Sequence, residues 1–358
     1  MLNRSYYFLL FNNINILKIV MRKVLYFITL KFFFIKYFNF FKFLIFKNFR
    51  FNNPPYLPIT VDVEPTTGCN FRCTMCQVSS PDFKSQNMNI ETFKEFISQN
   101  KQLLKIKLQG MGEPTVNNKF LEMIDIANDS GITVEFTTNG SLLNKVFISQ
   151  LLKKKIYKIT ISIDGATKET FEKIRVKSNF ESIIENIYSL IEQSKKIYLR
   201  PLICAWTVVQ KDNIHEFEKI FYLINKIGFD ELSYQFHLSD WGKQEWHNIN
   251  KDKLIDVNQK KAFISNMIYN KKFKTKVKIF TENILTFKKK CKWPVRSSYI
   301  DNQGYVSPCC IIGDSKVINF GNINQTNYSR IWKSAEYIQF RKSINENKIP
   351  SFCKSCYR

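Results

Sequence analysis

Glu64-Pro-Thr-Thr-Gly-Cys69-Asn-Phe-Arg-Cys73-Thr-Met-Cys76 sets three thiols within eight residues, spaced C-x3-C-x2-C. The run Ile59–Glu64 that leads into it is short and β-rich, so the sulfurs ride on the loop after a strand. With nine cysteines in 358 residues, chance places such a triplet in about six sequences per thousand. Soft thiolates suit zinc, Cu(I) or iron–sulfur. A structural zinc would want a fourth ligand nearby, and the next cysteine is Cys204. A four-iron cube with a thiolate on every iron uses four cysteines, so three closely spaced ones leave one iron open to a ligand. Cysteines gathered in tight groups, unlike a small disulfide scaffold, predict a reducing, cytoplasmic setting. Three histidines leave little for a histidine-based catalytic metal site.

Outward from that loop the sequence alternates. Strands are predicted at Ile59–Glu64, Lys105–Gln109, Ile132–Thr137, Tyr157–Ile163, Tyr198–Val209 and Glu231–His237. Helices are predicted at Ile90–Leu104, Lys119–Asn128, Asn144–Lys154, Phe180–Ser194 and Asn213–Ile227. Six β–α units in series predict an α/β fold with a parallel sheet, a partial (β/α)6 TIM-like barrel, since a closed barrel of this kind takes eight. Chemistry in such folds collects at the C-terminal strand ends, which is where the cysteine loop falls.

On Cys69, Cys73 and Cys76 the chain resembles the radical S-adenosylmethionine (radical SAM) superfamily. That resemblance implies that the three thiolates hold a [4Fe–4S] cluster whose open iron chelates SAM. One electron then cleaves SAM to methionine and a 5′-deoxyadenosyl radical, which takes hydrogen from the substrate. Met75 stands where the family often has an aromatic residue. Further resemblances follow along the barrel. Gln109-Gly110-Met-Gly112-Glu113-Pro is similar to the motif that receives SAM's amino group, and glycines there let backbone approach a ligand closely. Thr138-Asn139-Gly and Ser162-Ile-Asp164-Gly end the third and fourth strands, where family positions line the SAM pocket and Ser162 is a candidate ribose contact. The structural reading of each Asn-Gly and Asp-Gly pair is a plain turn. Tyr234, Gln235 and His237 are pocket candidates by position alone, and Cys204 beside Trp206 reads as core.

The remaining cysteines, Cys291, Cys309, Cys310, Cys353 and Cys356, fall in the last 68 residues. Four thiolates suit either a fully ligated [4Fe–4S] cluster or a zinc site, and spacing does not choose. The surrounding sequence is similar to the SPASM/twitch extensions of radical SAM enzymes, which implies an auxiliary iron–sulfur cluster serving as electron acceptor. Five cysteines are too few for two such clusters, so one is expected, on Cys291, Cys309, Cys353 and Cys356, with Cys310 the alternative to Cys309. Its single-cluster form resembles dehydrogenases of aminoglycoside assembly, which implies an oxidoreductase acting on a sugar-like alcohol. Related proteins modify peptides, the second reading, and a non-catalytic iron–sulfur or zinc protein is the third. A reductase such as flavodoxin or ferredoxin is implied as electron donor.

The formal charge is +24. Residues 1–61 hold no acid and nine bases, Arg4, Lys18, Arg22, Lys23, Lys31, Lys36, Lys42, Lys47 and Arg50. A basic surface concentrates acidic partners, while abundant Asn, Ile and Phe beside lysine is also what an AT-rich coding sequence gives. No arginine-rich motif points to specific nucleic-acid binding. Ser5–Leu17 is the longest uncharged run here, too short to span a bilayer. Apolar runs broken by single lysines (Val24–Leu30, Phe32–Ile35, Tyr37–Phe41, Phe43–Phe46) predict a helix lying at an anionic membrane surface. A poorly ordered extension is the alternative. The expected division is 1–57 as a basic aromatic extension, 58–287 as the core and 288–358 as the auxiliary-cluster domain.

Overall fold

The computed structural model describes residues 33–256, 275–280 and 291–357, and the runs Ser5–Leu17 and Val24–Leu30 lie outside them. Helix α1 (Phe33–Phe46) comes first, then β1 (Thr60–Val63), the two-residue β2 (Arg72–Cys73), α2 (Ile90–Gln99), β3 (Lys105–Leu108), α3 (Phe120–Asp129) and β4 (Thr133–Thr138). The alternation continues through α4 (Lys145–Leu151), β5 (Ile156–Ser162), α5 (Lys168–Ile174), β6 (Arg175–Val176), α6 (Phe180–Lys195), β7 (Leu202–Val208), α7 (Phe217–Ile227) and β8 (Glu231–Gln235). After α8 (Gln244–Lys251) and β9 (Lys276–Phe280) come α9 (Trp293–Arg296), β10 (Tyr299–Ile300), β11 (Val306–Ser307), α10 (Tyr328–Trp332) and α11 (Ala335–Asn345).

Nine strands form one sheet in the order β11-β10-β1-β3-β4-β5-β7-β8-β9. Every neighbouring pair is parallel except β10–β11. The six expected strands are its centre, in chain order, and the fold is the expected partial α/β barrel. Parallel strands need cover on both faces, and in this curved sheet the helices supply it on the outer one. In α6, Ile183, Ile187, Leu190 and Ile191 all point inward at helical spacing. Asn144, Thr167 and Asn179 accept first-turn N–H groups and fix where α4, α5 and α6 begin.

Two departures have local causes, and a third is non-local. The strand expected from Tyr198 begins at Leu202: Pro201 has no N–H to give to a ladder, and Tyr198 is exposed. The helix expected to reach Leu104 stops at Gln99, where the Asn100 side chain donates back to the Phe96 carbonyl at 2.8 Å. Strands β9, β10 and β11, the β2–β6 ribbon and helix α5 were not expected. β10 comes from the C-terminal segment and pairs with β1, Asp62 opposite Tyr299 and Val63 opposite Ile300. Farther on, Arg341 stacks on Trp332 and Tyr337 (4.0 and 3.9 Å to the ring centres) and donates to the Pro294 carbonyl at 2.7 Å, joining α11 to the segment after Cys291.

Candidate active site and the two cysteine groups

The cysteine loop is held by backbone on two sides. Strand β2 pairs antiparallel with β6, Cys73 opposite Arg175, and Thr74 donates to the Ile174 carbonyl at 2.9 Å. On the other side the Gly110–Glu113 loop packs directly onto it, the Glu113 N–H donating to the Gly68 carbonyl at 2.8 Å. A Cβ on residue 112 would stand 2.3 Å from that same oxygen, and one on residue 110 would stand 2.2 Å from a Glu64 carboxylate oxygen. Glycine at both positions is what lets the two loops meet.

Cys69, Cys73 and Cys76 open into one cavity of about 240 Å³. It lies at the C-terminal ends of β3, β4, β5, β7 and β8, and Met75, Gly110, Gly112, Glu113, Asn139 and Ser162 also line it. Burial pushes the Cys69 thiol up to about 11 and the Cys76 thiol up to about 12, and raises Cys73 as well. Without a cluster these thiols are neutral, so loading iron releases protons.

Of the expected SAM-pocket residues only Asp164 does not line this cavity, and of the positional candidates neither Tyr234 nor His237 does. The buried Asp164 carboxylate accepts from the Val208 N–H at 2.7 Å and forms a salt bridge with Arg175 at 2.7 Å. Arg175, which sequence reasoning missed, does line the cavity and reaches to 4.0 Å from the Cys73 sulfur. Burial works against the guanidinium charge, but Asp164 and the Cys73 thiol outweigh it and hold Arg175 protonated. The result is a fixed cation beside the cysteines. The signal available in the sequence was a single arginine eleven residues beyond Asp164, too little to read.

Both Glu113 oxygens are hydrogen-bonded within the fold. One takes the hydroxyls of Thr115 (2.6 Å) and Thr138 (2.7 Å), the other the Asn139 N–H (2.6 Å). Glu113 brackets the ends of β3 and β4 and lines the cavity beside the glycine backbone. Gln235 lines the cavity, whereas Tyr234 is core, its hydroxyl donating to the Phe217 carbonyl at 2.7 Å. Cys204 is buried, as expected.

The C-terminal thiols gather from three segments. Cys309 lies within electrostatic reach of Cys310, Cys291 and Cys356, and Cys353 within reach of Cys356, Cys291 and Asp240. Burial pushes Cys353 up to about 12 and Cys309 well above the usual thiol range. Cys310, also pushed up to about 12 by burial, has Asp62 and Lys107 of the barrel as its foremost charged neighbours. Among the described residues no three His, Cys, Asp or Glu groups are grouped as a single metal ion requires. Thiols drawn from separate segments fit iron–sulfur clusters by donor chemistry.

A second cavity, about 480 Å³, adjoins the first at Met111. Its walls come from the barrel (Glu64, Gln77), the α8 segment (Lys243) and the C-terminal region (Asp301, Asn302, Asp314). Gln77 donates to the Met111 sulfur at 2.8 Å and accepts from Lys243 at 3.2 Å, while Lys243 also pairs with Asp314. Glu64 accepts from the Met111 N–H at 2.6 Å and the Asn302 N–H at 3.3 Å. Burial pushes its carboxyl up to about 7.

Comparisons with known proteins agree with this arrangement. Residues 63–224 match the radical SAM superfamily, and residues 291–357 match SPASM, an iron–sulfur cluster-binding domain. The AdoMet-dependent heme synthase of Methanosarcina barkeri is 24% identical over 322 residues, 84% of this chain and 88% of that protein. Among solved structures, Streptococcus suis SuiB bound to the precursor peptide SuiA is similar with a TM-score of 0.64, 14% identity, and coverage of 79% of this chain and 66% of that one. The structure of anSMEcpe with AdoMet and the Cp18Cys peptide gives a TM-score of 0.60, 18% identity, and coverage of 84% and 88%.

Proposed function

As a radical SAM protein with a C-terminal SPASM domain, whose cofactors are SAM and [4Fe–4S] clusters, the chain is an enzyme for which we propose oxidative modification of a peptide side chain. When bound, a cluster with SAM supplies one-electron cleavage of SAM and a carbon-centred radical able to take hydrogen from substrate, and an auxiliary cluster supplies an electron acceptor. Cys69, Cys73 and Cys76 hold the first cluster. Arg175 and Ser162 receive the polar groups of SAM, and the Gly110–Gly112 backbone flanks its amino acid end. Cys291, Cys309, Cys353 and Cys356 hold the auxiliary cluster. Cys310 is left out because its foremost charged neighbours are in the barrel.

The substrate sits in the 480 Å³ cavity that joins the SAM pocket at Met111, the observation that carries this reading. Its walls offer amides and charges of both signs, which match a peptide's alternating donors and acceptors. A porphyrin would want flat apolar walls. The sugar-like alcohol implied by the ligand count finds no support in the three similar proteins above, two of which were solved with peptides. Glu64, Gln77 and Lys243 orient the substrate, and the C-terminal residues 301–316 close the cavity from water. The proposal includes a flavodoxin- or ferredoxin-type donor, a cytoplasmic site of action at an anionic membrane surface, and the division at 57/58 and 287/288. The test is anaerobic incubation of iron-loaded protein with SAM, reductant and a peptide library. Peptide-dependent 5′-deoxyadenosine with a mass loss on the peptide supports it. Stimulation by sugars and by no peptide contradicts it.

A further inference from the structure

Helix α1 has two unlike faces. On one, the fully buried Lys36 donates to the carbonyls of Leu103 (2.6 Å) and Gly131 (3.3 Å), and Asn39 exchanges two 2.9 Å hydrogen bonds with the Leu57 backbone. Leu103 and Gly131 precede β3 and β4, so α1 is fastened across the N-terminal ends of the strands, opposite the cysteine cavity. On the other face Phe34, Phe38, Phe41 and Ile45 are 85, 66, 60 and 61% exposed, at the i, i+4, i+7, i+11 positions of one stripe, and Phe49 prolongs it. Of the fifteen large apolar side chains left exposed among the described residues, seven lie between 34 and 49. An apolar patch this concentrated marks a contact surface.

Resting on the membrane-surface reading above, we infer that α1 lays this stripe into the headgroup region of an anionic bilayer, turning the N-terminal strand ends toward the membrane and the cysteine cavity away from it. Charge decides for lipid over a second copy. Between residues 33 and 61 there is no acid, and besides the buried Lys36 the segment carries Lys42, Lys47 and Arg50, so two such segments brought together would repel, whereas anionic headgroups complement them. Lys42, whose ammonium sits 4.5 Å above the Phe38 ring, already pairs cation with aromatic along the stripe. The loop before β7 gives the same end of the barrel a second contact, with Tyr198 92% exposed beside Lys196. Substrate then arrives from water and not sideways from the bilayer.

The test uses the full chain and phosphatidylcholine vesicles with and without phosphatidylglycerol. Wild type should sediment with the anionic vesicles and be released by salt. The F34S/F38S/F41S variant, altered only at exposed positions, should keep its circular dichroism and bind about 100-fold more weakly. Tyr222→Ser, an exposed aromatic elsewhere, should bind as wild type. Hydrogen exchange on vesicles should slow at 34–49 and 195–198 and stay unchanged at 239–246 and 301–303. If wild type ignores anionic vesicles, the membrane reading itself fails. If it binds and the triple variant binds equally, only the face assigned here fails. Protection at 239–246 would overturn the orientation. Concentration-dependent protection of 34–49 without lipid would assign the stripe to a second copy and overturn the inference.

Discussion

Replacing Asp164 by Asn removes one charge from a pair buried behind the cysteine loop. The carboxylate is fully buried and its partner Arg175 is 9% exposed, with 2.7 Å between them. An amide can still accept from Val208, so the backbone bond survives and the loss isolates the charge. Its NH2 would face the guanidinium, donor against donor, leaving Arg175 an uncompensated buried cation at a cost of about 3–5 kcal/mol. That is a large share of the roughly 5–15 kcal/mol that holds a domain together. Urea unfolding of the iron-free protein reads this directly. Equilibrium dialysis of SAM on the iron-loaded protein should show weaker binding, because Arg175 is no longer aimed into the cavity. The double variant D164L/R175M should regain most of the stability and none of the SAM affinity. A D164N protein within 1 kcal/mol of wild type and with unchanged SAM binding would refute the reasoning.

Two other outcomes follow from the buried carboxyl and the second thiol set. The Glu64 carboxyl is pushed up by burial from 4.5 to about 7, so the fold favours its neutral form. The stability this gives is complete below pH 4.5 and fades as pH rises through 7, a change of about 3 kcal/mol by linkage. Urea titrations at several pH values should therefore show E64Q gaining on wild type between pH 4.5 and 7.5; a constant gap would contradict it. Replacing Cys353 and Cys356 by Ala should spare SAM cleavage but stop product formation, read as 5′-deoxyadenosine without modified substrate. Unchanged turnover would remove the acceptor role from the C-terminal thiols.

The six strands and five of their helices were legible because each is a local pattern, an apolar run closed by a turn or opened by an Asn cap, whereas α5 was not expected. The cavity-lining residues were legible where they sit in short motifs, as with the loops holding Cys69, Gly112, Asn139 and Ser162. What the sequence concealed is non-local. Two-residue β10 exists only because β1 offers an edge, and the β2–β6 ribbon only because the chain returns to the cysteine loop a hundred residues later. Arg175 gains its role from that return, and Asp164, which the family resemblance placed at the SAM pocket, pairs with Arg175 and does not line the cavity. Glu113 likewise spends its carboxylate on Thr115, Thr138 and Asn139, partners that no spacing rule predicts. The orientation of α1 was hidden too, since a buried lysine at position 36 reads in sequence like its exposed neighbours.

The central claim is that Cys69, Cys73 and Cys76 leave one corner of a cluster open to SAM. Electron paramagnetic resonance of the reduced, anaerobically prepared protein, with and without SAM, tests it most directly. The account predicts an iron–sulfur signal that shifts when SAM is added and is absent from a variant with those three cysteines replaced by Ala. A signal indifferent to SAM, or one that survives the triple replacement and still shifts, would contradict it.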